Sequence, residues 1–129
     1  MWIFTRYGFY SIGCANTTGG GVDPHTVLIR ARLRSHLEKL QERFAALAHT
    51  EIKVMPGRDY RYRLVVRKEV WAGIVSELVN EEDWSNFMNE VARYQGTPGA
   101  EYSRAVHDVW SIMRRLQEKE KARPGASAR

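Results

Sequence analysis

The segment Arg58–Trp71, RDYRYRLVVRKEVW, changes its hydrophobic period partway along, and that change restricts the fold more than any other feature of the chain. From Tyr60 to Val66 every second residue is aromatic or aliphatic (Tyr60, Tyr62, Leu64, Val66), with Arg61 and Arg63 between them. This is the pattern of a strand with one buried face. Beyond Lys68 the apolar residues fall at Val70, Trp71, Ile74, Val75 and Leu78, which is the period of a helix.

An earlier passage has the same form. Thr26–Arg32 places Val27, Ile29 and Ala31 on one face and Leu28, Arg30 and Arg32 on the other. A helix follows with Leu37, Leu40, Phe44 and Leu47 as its apolar stripe, Ser35 as its expected N-cap and Glu38 as the capping-box partner. Both passages carry an Arg-x-Arg within the strand, which hints at a strand-strand-helix unit used twice.

The remaining elements follow from local signals. Trp2–Ile12, rich in aromatic and β-branched residues, predicts one long first strand, and Asn16–Pro24 (NTTGGGVDP) predicts a loose hairpin loop. Ile52–Met55 predicts a short strand before the turn Pro56–Asp59. Glu81-Glu82-Asp83 suits the start of a helix whose stripe is Trp84, Phe87, Met88, Val91 and Tyr94 or Gln95, and Gly96 ends it. Thr97-Pro98 opens a last helix with Tyr102, Val106, Val109, Met113 and Leu116 facing inward, widened by Trp110 and Ile112. The order is ββαββααα. It predicts an α+β fold with a four-stranded, mainly antiparallel sheet, either ferredoxin-like or a related two-layer sandwich. One domain is expected over residues 1–120, with a disordered basic tail over 121–129.

Composition narrows the class. Cys14 is the single cysteine, so no internal disulfide is available and the fold must rest on its core. The N-terminal residues alternate aromatic and polar side chains instead of forming a secretory signal, and no window is apolar enough to span a bilayer. The expectation is a cytoplasmic protein with no membrane association. The net charge of +5 is unevenly spread: residues 51–68 carry six cations against two anions, whereas 69–101 carry Arg93 against seven anions. Cations concentrated on strands point to an acidic partner.

The site expectation follows from alternation. If Val27, Ile29, Ala31 and Tyr60, Tyr62, Leu64, Val66 face the helices, then Arg30, Arg32, Arg61 and Arg63 emerge together on the opposite face. Arg67 extends the row, and Trp2, Phe4 and Arg6 could line the same face. Guanidiniums on strands about 4.8 Å apart suit bidentate binding of phosphate or carboxylate. Rings among them would furnish a sheet for single-stranded nucleic acid. The plain alternative is a solvated or internally paired sheet face.

Other constellations are weaker. Cys14 with His25 and Asp23 has the residue types of a nucleophile, base and orienting acid, but no strained elbow or helix N-terminus lies beside the cysteine. Gly19–Gly21 lacks the Lys-Ser/Thr of a phosphate-binding loop, and the Asn16-Thr17-Thr18 acceptor pattern lacks a secretory context. His36, His49 and His107 show no ligand spacing. No catalytic residue, metal ligand or cofactor is assigned.

The whole chain resembles a group of short uncharacterised bacterial proteins that open Met-Trp-x-Phe-Thr with Gly-Phe soon after, here Met1–Thr5 and Gly8-Phe9. Arg30-Ala31-Arg32, Asp59–Arg63, Trp84-Ser85-Asn86-Phe87 and Val109–Met113 match its other marks. The lysine that usually follows the Asn-Phe pair is Met88 here, and the glycine loop is longer. The resemblance implies one compact domain and no particular activity. The expected function is therefore a small non-enzymatic binding or regulatory module whose arginine face (Arg6, Arg30, Arg32, Arg61, Arg63, Arg67) meets nucleic acid or an acidic protein. The alternative is a homodimeric structural or interaction protein, and an enzyme of unknown class is third.

Overall fold

A computed structural model describes residues 1–125; residues 126–129, the end of the expected basic tail, lie outside the described residues. Two compact units divide the chain, Met1–Ser85 and Asn86–Arg129.

The first unit holds the sheet. Its strands are β1 (Trp2–Phe4), β2 (Phe9–Asn16), β3 (Val22–Ala31), β4 (Lys53–Val54) and β5 (Tyr62–Arg67). They lie in the order β1-β2-β3-β5-β4 with every neighbouring pair antiparallel. The expected α+β class is what the chain adopts. The sheet is open, with five strands instead of the expected four, and with no parallel pair among the described strands it lacks the split βαβ of a ferredoxin-like topology.

The fifth strand arises because the expected strand Trp2–Ile12 is broken by a turn. The Thr5 hydroxyl accepts from the backbone N–H of Tyr7 and of Gly8, both at 3.1 Å, and donates to the Gly8 carbonyl at 2.9 Å. This local capture of backbone groups by threonine folds the chain back. Gly8 is required there for close approach, since a Cβ would stand 2.3 Å from Cγ of His36.

Helices α1 (Arg34–Arg43) and α2 (Lys68–Asn80) pack on one face of the sheet. That face is Tyr10 and Ile12 of β2, Val27, Ile29 and Ala31 of β3, and Leu64 and Val66 of β5, all buried and in one cluster with Leu37, Leu40, Trp71, Ile74 and Leu78. Each fully buried aliphatic side chain contributes about 1.5–3 kcal/mol. The expected stripe Leu37, Leu40, Phe44, Leu47 is buried throughout, although α1 ends before Phe44 and a 3₁₀ turn carries Leu47. Ser35 does not cap α1. The cap is Leu33, in extended conformation and without a side-chain bond, and the first turn instead carries the Arg34–Glu38 pair at 3.7 Å.

The acidic run 81–83 also departs from expectation. Glu81 is the C-cap of α2. Its carboxylate accepts from the Tyr7 hydroxyl at 2.7 Å and from Arg43 at 2.8–2.9 Å, with Arg6 at 3.4 Å. Burial, then the hydrogen bond to Glu81, raises the Tyr7 hydroxyl pKa. Three cross-links to one carboxylate fix the end of α2, so the next helix begins later than the charges alone imply.

The second unit holds α3 (Phe87–Gln95) and α4 (Ala100–Lys121). Asn86 caps α3 by accepting from the Asn89 N–H at 2.9 Å. Gly96, with φ +62°, stops it as expected. On α4 the expected inward stripe is only half realised. Tyr102 and Val106 are buried, whereas Trp110, Ile112, Met113 and Leu116 are exposed. No described helix is long and apolar enough to cross a membrane.

Candidate functional site

The face of the sheet away from α1 and α2 carries the arginines. Strand register sets one row straight across it: Trp2 opposes Ser11, Ser11 opposes Arg30, Arg30 opposes Arg63, and Arg63 opposes Lys53. Directly opposed residues project to the same side of a sheet. Arg30 and Arg63 therefore emerge together, opposite Ile29, Ala31 and Leu64 of the core. The next row begins with Phe4 opposed to Phe9.

Where these rows meet the turn that precedes β5, the surface is concave. A groove of about 610 Å³ is lined by Trp2, Ser11, Arg30 and Arg63 from the first row, by Arg32 beyond β3, and by Arg58, Asp59 and Tyr60 from the turn. Tyr60 is on this side, not among the core-facing residues where its alternation with Tyr62 and Leu64 put it. The strand starts at Tyr62 and the bend at Asp59–Tyr60 breaks the parity. Its ring, 8% exposed, has the Arg32 guanidinium 4.2 Å and the Arg30 guanidinium 5.9 Å from its centroid. It therefore forms the floor on which two guanidiniums rest.

Charge in the groove is poorly balanced. Arg32 donates to Asp59 Oδ1 at 3.0 Å and to the Asp59 carbonyl at 3.1 Å, and that bond raises its pKa. Among the described residues no ion pair joins Arg30, Arg58 or Arg63 to a carboxylate. Arg30 donates weakly to the Ser11 carbonyl at 3.5 Å. Its guanidinium lies over Gly13, where a Cβ would stand 2.8 Å from a terminal nitrogen. Arg63 Nε is buried and has no hydrogen-bond partner. Burial, then repulsion from Arg30 and Arg58, lowers the Arg63 pKa. A buried guanidinium donor without an acceptor carries a desolvation cost, here beside two further cations.

The aromatic wall adjoins it. Trp2 is 70% exposed and meets Phe9 edge-on at 5.7 Å, Phe9 stacks on Phe4 at 4.5 Å, and Phe9 and Tyr60 lie 6.4 Å apart.

The expected site residues thus separate. Arg30, Arg32 and Arg63 come together. Arg61 is exposed outside the groove, 5.9 Å from the Tyr62 ring centroid. Arg67 is on the same face but at its far end, paired with Glu69 at 2.5 Å. Arg6 lies within the Thr5–Gly8 turn, against Glu81 and 5.1 Å from the Trp84 ring centroid, and is not part of the groove with Trp2. Sequence reasoning missed Arg58, because a residue in a Pro-Gly turn has no periodicity to follow. It also misplaced Tyr60.

Elsewhere, Cys14 opposes Val27 and packs toward the core, and the Asp23 carboxylate accepts from the His25 backbone N–H at 2.9 Å. His36 is buried, accepts from the Phe9 N–H at 3.3 Å through Nδ1, and has its pKa lowered to about 4 by burial. No group of three or more His, Cys, Asp or Glu among the described residues could hold a metal ion. Compared with family models, curated proteins and solved structures, the chain matches none.

Proposed function

We propose that this protein is a non-enzymatic binding or regulatory module that takes an acidic partner into the groove of Arg30, Arg32, Arg58 and Arg63. One observation carries the reading: Arg63 is half-buried beside Arg30 and Arg58 with a donor unsatisfied and no carboxylate paired to any of the three. Neighbouring like charges on adjacent strands are destabilising, and a phosphate or carboxylate bridging them turns that cost into bidentate, charge-assisted bonds. Asp59 pairs with Arg32 at the solvent-exposed rim, and an exposed pair of this kind costs little to exchange for a stronger anion.

Titration calorimetry with inorganic polyphosphate tests this. Binding is expected at low salt, with log affinity falling linearly against log salt, and with Arg30→Ala and Arg63→Ala each lowering the slope by about one. Absence of heat at low salt, or a double variant that binds as well as the parent, overturns the proposal.

A second reading, self-association as a homo-oligomeric interaction protein, is favoured by a separate observation. Trp110, Ile112, Met113 and Leu116 leave one strip of α4 bare, and contiguous exposed apolar surface of this kind marks interaction sites. Light scattering at high concentration decides it: a dimer that Met113→Glu/Leu116→Glu dissociates supports it, and a monomer removes it.

A further inference from the structure

Resting on the anion-binding reading above, we infer that the acidic partner is a single-stranded nucleic acid, its phosphates on Arg30 and Arg63 and a base stacked on Trp2. The position of Trp2 carries the inference. It is on the outermost strand, two strands from Arg30 and three from Arg63 in a single cross-sheet row, hence about 10 Å and 14 Å away at the usual strand spacing. With 70% of the residue exposed, at least one face of the indole is open to solvent. Phe9, itself backed by Phe4, holds the ring from the side at 89° between planes. An edge contact of this kind supports the indole from one side and leaves ring surface available for stacking.

The combination excludes other acidic partners. A carboxylate-rich peptide uses guanidiniums but gains little from an open indole. A duplex keeps its base faces stacked internally, so it can offer phosphates to the arginines and nothing to Trp2. Only a single strand presents phosphate and free base faces together. Apart from arginines and rings, the groove offers only the Ser11 hydroxyl and Asp59. Stacking on an open ring and charge pairing with phosphates are both indifferent to base identity, so these two contacts tolerate sequence.

The measurement is fluorescence anisotropy of labelled twelve-residue oligo-U and oligo-dT, with competition by a hairpin duplex, inorganic polyphosphate and poly-glutamate. The single strands are expected to bind at least tenfold more tightly than duplex or polyphosphate at matched phosphate. Trp2→Ala should weaken them roughly 5- to 100-fold without changing the salt slope, since one lost stack is not electrostatic. Trp2→Phe should restore most of the loss. Arg30→Ala and Arg63→Ala, by contrast, should reduce the slope. Equal binding of polyphosphate and duplex, with Trp2→Ala indistinguishable from the parent, overturns the nucleic-acid assignment and leaves the anion groove standing. Preference for poly-glutamate overturns it in favour of an acidic protein. No binding of any polyanion overturns both. Because Trp2 is exposed, its variants are expected to keep the fold, and unchanged circular dichroism is required of the Arg30 and Arg63 variants as well.

Discussion

At the scale of single residues, burial decides which titratable groups matter. His36 is 6% exposed, touches the close approach at Gly8, and accepts the Phe9 amide proton through Nδ1. Both facts favour neutral imidazole, because a charged ring would lose solvation and its acceptor nitrogen together. Its folded pKa of about 4 lies below the ordinary 6.5, the chief cause being burial, with Lys39 adding to it. Between those values the unfolded chain binds the proton more tightly, so the stabilising contribution is complete above pH 6.5 and is lost as pH falls toward 4. Urea denaturation should show a loss of up to about 3 kcal/mol across that window. The His36→Gln variant should lack this component, keeping only the carboxylate contribution common to both. Parallel curves for parent and variant would show that His36 is not the group concerned.

At the scale of elements, α4 shows how a correct period can mislead about burial. Tyr102, Val106, Val109, Met113 and Leu116 do share a helical stripe, and the helix forms over the expected length. Period reports which residues share a face, whereas burial needs a partner opposite. Only the N-terminal half of the stripe is covered, Tyr102 at 7% and Val106 at 6% exposure against 57% for Met113 and Leu116. Val106→Ala should therefore cost about 2 kcal/mol through lost transfer and cavity terms. Met113→Ala should fall within about 0.5 kcal/mol of the parent, as surface substitutions do. Thermal or urea unfolding of the two variants at low protein concentration makes the comparison. Equal losses would mean that the C-terminal half of the stripe is buried after all.

At the scale of the whole molecule, the class, the face and the turns at Asn16–Pro24 and Pro56–Asp59 were legible, while the turn at Thr5–Gly8 and the bend that carries Tyr60 were not. Period-two alternation in Val27–Ala31 and Tyr62–Val66 placed the core and the arginines on the correct sides, because alternation is a property of the strand itself. Thr5–Gly8 and Asp59–Tyr60 were opaque because each replaces periodicity by local hydrogen bonding or a bend, and each changes which side chains join the groove. The same geometry sets stability against binding. Residues 1–85 carry twelve Lys and Arg against ten Asp and Glu, a near balance, yet Arg30, Arg58 and Arg63 share a groove in which Asp59 pairs with Arg32. Folding must bring these three cations together, which costs stability. Arg63→Gln should consequently raise stability by about 0.5–1 kcal/mol at low salt, because it removes a partly buried charge whose pKa burial and two neighbouring guanidiniums lower. The part of the gain that comes from repulsion by Arg30 and Arg58 should shrink near 1 M salt, where screening falls to about 3 Å, while the part due to burial persists, and the same variant should bind polyphosphate more weakly. Chemical denaturation by urea at two salt concentrations separates the effects. Destabilisation by Arg63→Gln at low salt would mean that the arginine already has its partner within the chain, and that the groove is a packed surface instead of a site waiting for an anion.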